Sequence, residues 1–252
     1  MYSPDEVVEL AIKSGVKKVN TSHRNKLILG FLAGAFVALG YIAYIKAVAA
    51  LPHAYHSLVG GAVFPIGLIC ILLGAGELIT SNMMTVSIAW YDKKVSGKDM
   101  LVNWVIVTFA NLLGALFMAY FFGHILGLTE ADPYLETTRE LAHGKVDMPF
   151  LQAFVSGIGC NWMVGMAVWI CYGAKDAAGK ILGAWFPIMI FVLIGFQHNV
   201  ANMFVIPAAI FNGGDITWLQ MLQNFVPVYL GNLVGGTILV SAVFYTTLKK
   251  KK

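Results

Sequence analysis

Hydrophobic residues run along this chain in six long stretches, at about residues 27–50, 58–90, 101–126, 149–172, 181–210 and 222–247, with short polar connections between them. A helix needs about 20 apolar residues to cross the hydrocarbon core of a bilayer, so each stretch predicts one crossing. Two stretches are too long and too polar for one continuous helix: GAGELITSNMM interrupts the second and GFQHNVANMF the fifth. Backbone N–H and C=O groups freed at membrane depth are tolerated only where protein or a water-filled path surrounds them. The interruptions therefore predict two broken helices beside a transport pathway.

The interruptions also correspond to one another. Asn82-Met83 recurs as Asn202-Met203, 120 positions later, and Asn111-Leu112-Leu113-Gly114 recurs as Asn232-Leu233-Val234-Gly235, 121 positions later. Each copy contains three spans, an odd number, so the second copy enters the membrane upside down relative to the first. The expected fold class is all-α and integral to the membrane, with six transmembrane helices in an inverted repeat of three plus three and with helices 2 and 5 broken. It forms one membrane transport domain, in which 1–26 is an amphipathic N-terminal helix and 27–126 the first repeat. Residues 127–148 connect to the second repeat at 149–247, and 248–252 form a basic tail.

Composition agrees with this reading. Only 12% of the residues are charged and 58% are hydrophobic, whereas soluble domains carry about 25% charged residues. A water-soluble fold is excluded. Lys and Arg number five before the first span, then one, three, two, two, none and four in successive connections and the tail. Alternate sides thus hold fourteen and three. That bias puts both termini in the cytoplasm, and for both ends to lie together the number of crossings must be even, as it is. The expected location is the inner (cytoplasmic) membrane. The net charge of +4 belongs to these flanks and does not call for nucleic acid.

Cys70, Cys160 and Cys171 lie in apolar stretches without C-x-x-C spacing, so neither a disulfide nor a metal site is expected. No nucleotide loop, zinc motif or paired intramembrane carboxylates occur, which argues against an enzyme and against any cofactor. At the N-terminus, Ser3 suits a helix cap, Pro4 the first helical position, and Asp5 and Glu6 the positive end of the dipole. The pattern predicts a helix lying on the membrane surface, not a cleaved signal peptide.

A helix that restarts at mid-membrane points free N–H groups and partial positive charge at the bilayer centre, which favours an anion. Thr80, Ser81 and Asn82 are candidate caps for the restart in the second span, and Asn199 for that in the fifth; Asn202 matches Asn82 through the repeat. His198 is the one histidine deep within a span, and an ionisable group at a helix break marks a site. Glu77, the acid just before the first break, is expected to accept from restart amides in a structural role. Asn161 and Asn232 either line the path or bond neighbouring helices.

These residues together resemble the formate/nitrite transporter family, through FPIGLICILLGAGELITSNMM, GFQHNVANMF, CNWMV in the fourth span and VPVYLGNLVGG in the sixth. The resemblance runs through all six spans. It implies an aquaporin-like fold assembled as a homopentamer, with one substrate pore in each protomer. It also implies that Lys145 is an external vestibule lysine, Asn161 its neighbour across the pore, His198 the central histidine and Thr80 its hydrogen-bond partner. Phe64, Leu68 and Phe191 match apolar constrictions, and Val164 and Ile79 would complete the cytoplasmic one. Gln197 stands where many relatives carry an acid, and Ile79 where they carry an aromatic.

The expected function is transport of a small monovalent weak-acid anion, formate first, then hydrosulfide or nitrite. An aquaporin-like channel for neutral solutes is the other class of reading, but no duplicated Asn-Pro-Ala occurs. In the expected mechanism Lys145 and the half-helix ends attract the anion, and a proton arrives from His198 or through it from water. The neutral acid then crosses the apolar constriction together with its proton.

Overall fold

The computed structural model describes residues 1–249; the last part of the basic tail, 250–252, lies outside the described residues. Helix α1 (Pro4–Asn20) starts as its sequence predicts, with the Glu6 carboxylate accepting from the Ser3 N–H at 2.7 Å and from the Ser3 hydroxyl at 2.9 Å. The expectation for its apolar face is corrected. Val7, Val8, Ala11 and Ile12 are buried against the chain's own helices, not laid on lipid.

The first repeat begins with α2 (His23–Val48). Its second span comprises α3 (His56–Val63), α4 (Ile66–Gly74) and, after a break, α5 (Ile79–Tyr91). Pro65 adds a further interruption between α3 and α4, because proline lacks the N–H that a continuous helix would use. The third span is α6 (Gly97–Phe117), which loosens into a π-helical segment at Met118–Ile125. Helix α7 (Tyr134–Val146) lies in the connection. The second repeat contains α8 (Phe150–Gly173), the broken pair α9 (Ala177–Ile194) and α10 (Asn199–Phe211), and then α11 (Trp218–Val234). A second π-helical segment follows at Gly235–Ala242, and α12 (Val243–Leu248) ends the described chain. Six helical segments are long and apolar enough to cross a membrane, and no strand occurs among the described residues.

The duplicated glycines explain how each repeat closes. A Cβ on Gly114 of α6 would sit 1.9 Å from the Phe31 carbonyl of α2, and one on Gly235, at the end of α11, would sit 2.4 Å from the Ile158 carbonyl of α8. Backbones touch at both crossings, so there is no room for even a methyl group. Gly114→Ala is expected to cost at least about 1–3 kcal/mol through overpacking. It should lower the thermal midpoint of the detergent-purified protein, whereas Leu113→Ala on the exposed face should leave it nearly unchanged.

Candidate anion site at the paired helix breaks

Both breaks are built the same way. Ala75, at φ +90°, ends the path of α4, and the first N–H of α5, on Ile79, donates to Asn111 Oδ1 at 2.9 Å. The Asn111 amide in turn donates to the carbonyls of Gly30 and Glu77, each at 2.8 Å. In the second repeat Gly195, at φ +87°, ends α9, and the Asn199 N–H donates to Asn232 Oδ1 at 3.0 Å. The Asn232 amide donates to Gly157 O at 2.8 Å and Gln197 O at 3.1 Å. An asparagine from the third span of each repeat thus satisfies backbone groups that the break leaves open. Asn232 does this structural work, and Asn111, which sequence reading did not single out as a site residue, does the same in the first copy. Its place in the repeated Asn-Leu-x-Gly motif was the available signal.

The capping expectations change. Thr80, Ser81 and Asn82 lie inside the first turn of α5, whose cap position is Leu78, because Asn111 already serves the leading N–H. The cap of α10 is His198, not Asn199: its Nδ1 accepts from the Ala201 N–H at 3.1 Å. Asn199 is the first helical residue, and both of its buried side-chain polar atoms lack a partner.

The two restarted helices meet directly. His198 Nε2 lies 3.0 Å from Thr80 Oγ1, with His198 only 4% exposed and Thr80 fully buried. An amide N–H can only donate, so Nδ1 is the unprotonated acceptor; Nε2 carries the ring proton and donates it to Thr80. Both nitrogens of a neutral imidazole are therefore engaged. The residue equivalent to His198, 120 positions earlier, is Leu78, so one restart presents an imidazole and the other an isobutyl group.

A cavity of about 170 Å³ opens beside this junction, lined among others by Tyr41, Tyr44, Phe64, Lys145, Phe191 and His198. Lys145 reaches it from the last turn of α7. Burial pulls its ammonium below the ordinary lysine range, and it forms no ion pair among the described residues. Past the junction the space narrows. Phe64 and Phe191 meet edge to face at 5.9 Å, and Phe191 stacks on His198 at 5.9 Å. A void of about 10 Å³ follows, lined by residues that include Phe64, Leu68, Leu78, Val164, Phe191 and His198. That is scarcely the room of one water molecule, and its walls are almost wholly apolar.

Of the residues that the resemblance assigned to constrictions, Phe64, Leu68, Phe191 and Val164 come together here. Ile79 does not line the void; it is buried with its N–H held by Asn111, and the preceding Leu78 faces the space instead. Asn161 is not in the vestibule lining either: it donates to the Asn232 carbonyl at 2.6 Å. Glu77 accepts from Asn82 Nδ2 at 2.7 Å and Lys18 Nζ at 3.1 Å, in place of the expected restart amides. Gln197 accepts from Asn202 Nδ2 at 2.6 Å and Asn224 Nδ2 at 3.0 Å. Asn103, which accepts from Asn82, and Asn224, which accepts from Asn202, were also missed by sequence reading, although they too are 121 positions apart.

A sequence profile of the family described as Formate/nitrite transporter matches residues 5–246 of the chain. The chain belongs to the formate/nitrite transporter family. Among the family's curated members, the formate channel BtFdhC of Bacillus thuringiensis is 49% identical over 253 residues, covering 99% of this chain and 97% of the relative. A solved structure titled FNT family ion channel superposes with a TM-score of 0.90 at 24% identity, covering 96% of this chain and 98% of its own, which shows the shared fold. Another, titled pentameric formate channel with formate bound, gives a TM-score of 0.78 at 28% identity, with coverages of 89% and 96%. As a member of the formate/nitrite transporter family, the chain is a multi-pass membrane transporter.

Proposed function

We propose that this chain carries formate through a pore in each protomer of a homopentamer in the inner membrane, with both termini in the cytoplasm, and that the anion crosses together with a proton. The observation that carries this reading is the junction of the two helix restarts at Thr80 and His198, facing a vestibule that holds Lys145, which has no ion-pair partner among the described residues. Restart amides and an ammonium attract an anion, and the apolar neck beyond them obstructs it. An isolated charge at the bilayer centre costs about 3 kcal/mol on insertion scales. Taking up a proton removes that cost, so the weak acid passes as a neutral molecule.

The engaged imidazole refines the route of the proton. A neutral ring whose Nδ1 accepts from Ala201 and whose Nε2–H is given to Thr80 has no spare acidic proton. Both expected routes, from His198 and through it from water, use the ring; with both ring nitrogens engaged, we take the proton to come directly from water in the vestibule, with the anion protonated close to His198. The related name BtFdhC, a formate channel, and the formate-bound pentamer support formate and the five-fold assembly for this chain.

Uptake of labelled formate into proteoliposomes, with nitrite, hydrosulfide and glycerol as competitors at several pH values, tests the reading. Saturable formate uptake that rises as the pH falls is the expected result. Stronger competition by nitrite or hydrosulfide would reassign the substrate within the same pore. Competition by glycerol alone, with no formate uptake, would sink the anion reading.

A further inference from the structure

The repeat extends beyond the breaks to the lysines on either side. In the first copy Asn103 Nδ2 donates to the Lys18 carbonyl at 3.2 Å, and in the second Asn224 Nδ2 donates to the Lys145 carbonyl at 2.8 Å. Lys18 lies in α1, which precedes the first repeat and packs on α5; Lys145 lies in α7, which precedes the second and packs on α10. The two polar rings match member for member, with one chemical difference. Glu77 supplies a carboxylate in the first, and Gln197, 120 positions later, supplies a carboxamide in the second. Lys18 is accordingly ion-paired at 3.1 Å, whereas Lys145 keeps its charge unmatched among the described residues.

We infer that Gln197 sets the affinity of the outer vestibule for its anion: by placing an uncharged amide where the mirror site holds a carboxylate, it leaves the charge of Lys145 for the transported anion. Gln197 acts through Lys145 and does not line the cavity itself, so it is a positioning residue. The amide is also held in place without using that charge. Its oxygen is occupied by Asn202 and Asn224, and its nitrogen donates to the Lys145 carbonyl at 3.3 Å and to Met148 Sδ at 3.2 Å. A carboxylate fits such a ring, because Glu77 sits in the equivalent one and accepts from Asn82 as Gln197 does from Asn202.

This inference rests on the anion-transport reading, and the decisive experiment separates the two. Formate uptake through the face that carries Lys145 is measured for the wild type and Gln197→Glu in proteoliposomes, as a function of formate concentration and ionic strength. The variant should raise KM about tenfold with little change in kcat, since a neutralised vestibule loses its electrostatic capture. The rise of KM with salt seen in the wild type should flatten in the variant, because screening has less charge to act on. Gln197→Met, which removes the amide's hydrogen bonds without adding charge, should keep the wild-type salt dependence, and it keeps the idea testable should Gln197→Glu not fold. Equal KM and equal salt dependence in the wild type and Gln197→Glu would overturn the inference, as would a flattened salt dependence in Gln197→Met. A wild type that takes up no formate would instead overturn the transport reading.

Discussion

Phe191→Ala is expected to turn the pore into an anion leak. The Phe191 ring lines both the vestibule and the small void beyond it, and it packs on Phe64 and on His198 at the neck between them. Its removal joins a cavity of about 170 Å³ to one of about 10 Å³ and lets water follow the anion through. The charge then no longer crosses dry. If most of the roughly 3 kcal/mol penalty is relieved, formate flux at neutral pH should rise on the order of tenfold to a hundredfold. The gain should be small in acid, where the neutral species already crosses, so the steep pH dependence should flatten. Flux measured at pH 5.5 and pH 7.5 checks this; a Phe191→Ala protein with wild-type flux at both values would place the barrier elsewhere.

The second large effect concerns His198, and here two substitutions must behave differently. His198→Leu removes the acceptor that caps α10 and the donor that holds Thr80, leaving two buried polar groups without partners. A lost cap costs about 1 kcal/mol, and each orphaned buried group about 1–3 kcal/mol. The restart should fray, and transport should fall on the order of a hundredfold, with a lower thermal midpoint. His198→Asn offers a side-chain oxygen to the Ala201 N–H and an amide N–H toward Thr80, so it should fold and remain active. Because the imidazole has no proton to spare, His198→Asn should also keep uptake that rises as the pH falls. A flat pH profile in folded His198→Asn would show that the ring itself passes the proton, and would contradict the proposed route.

The sequence made the architecture legible where its signals were long or repeated. Six apolar stretches yield six candidate membrane helices, and the polar interruptions mark both breaks, because the bilayer fixes hydrophobic length and backbone freed at membrane depth must find its partners inside the protein. Local capping rules were less informative. Thr80, Ser81 and Asn82 look like caps, yet the leading N–H of α5 is served by Asn111 from another span, a contact that local sequence does not contain. The same holds for Asn199, displaced as a cap by the imidazole before it.

The surface helix expected at 1–26 is amphipathic, but a pattern cannot say whether its apolar face meets lipid or protein; α1 meets protein. At the neck, Phe64, Leu68, Phe191 and Val164 line one small void together with Leu78, and Ile79 does not. A shift of one residue at a helix start rotates a side chain out of the path, and element boundaries are the least legible feature of a sequence. The repeat reaches beyond its two short motifs. The offset that relates Asn111 to Asn232 also relates Asn103 to Asn224 and Leu78 to His198 to within one position, and those pairs form the rings and tips of the site.

What the account needs above all is that the acid crosses neutral, its proton gained in the vestibule before the neck. Formate entry and internal acidification, recorded together in proteoliposomes and corrected for protein-free vesicles, measure this directly. One proton per formate, at a rate indifferent to a membrane potential imposed with potassium and valinomycin, is the predicted result. Formate entry that follows the imposed potential without acidifying the lumen would contradict it.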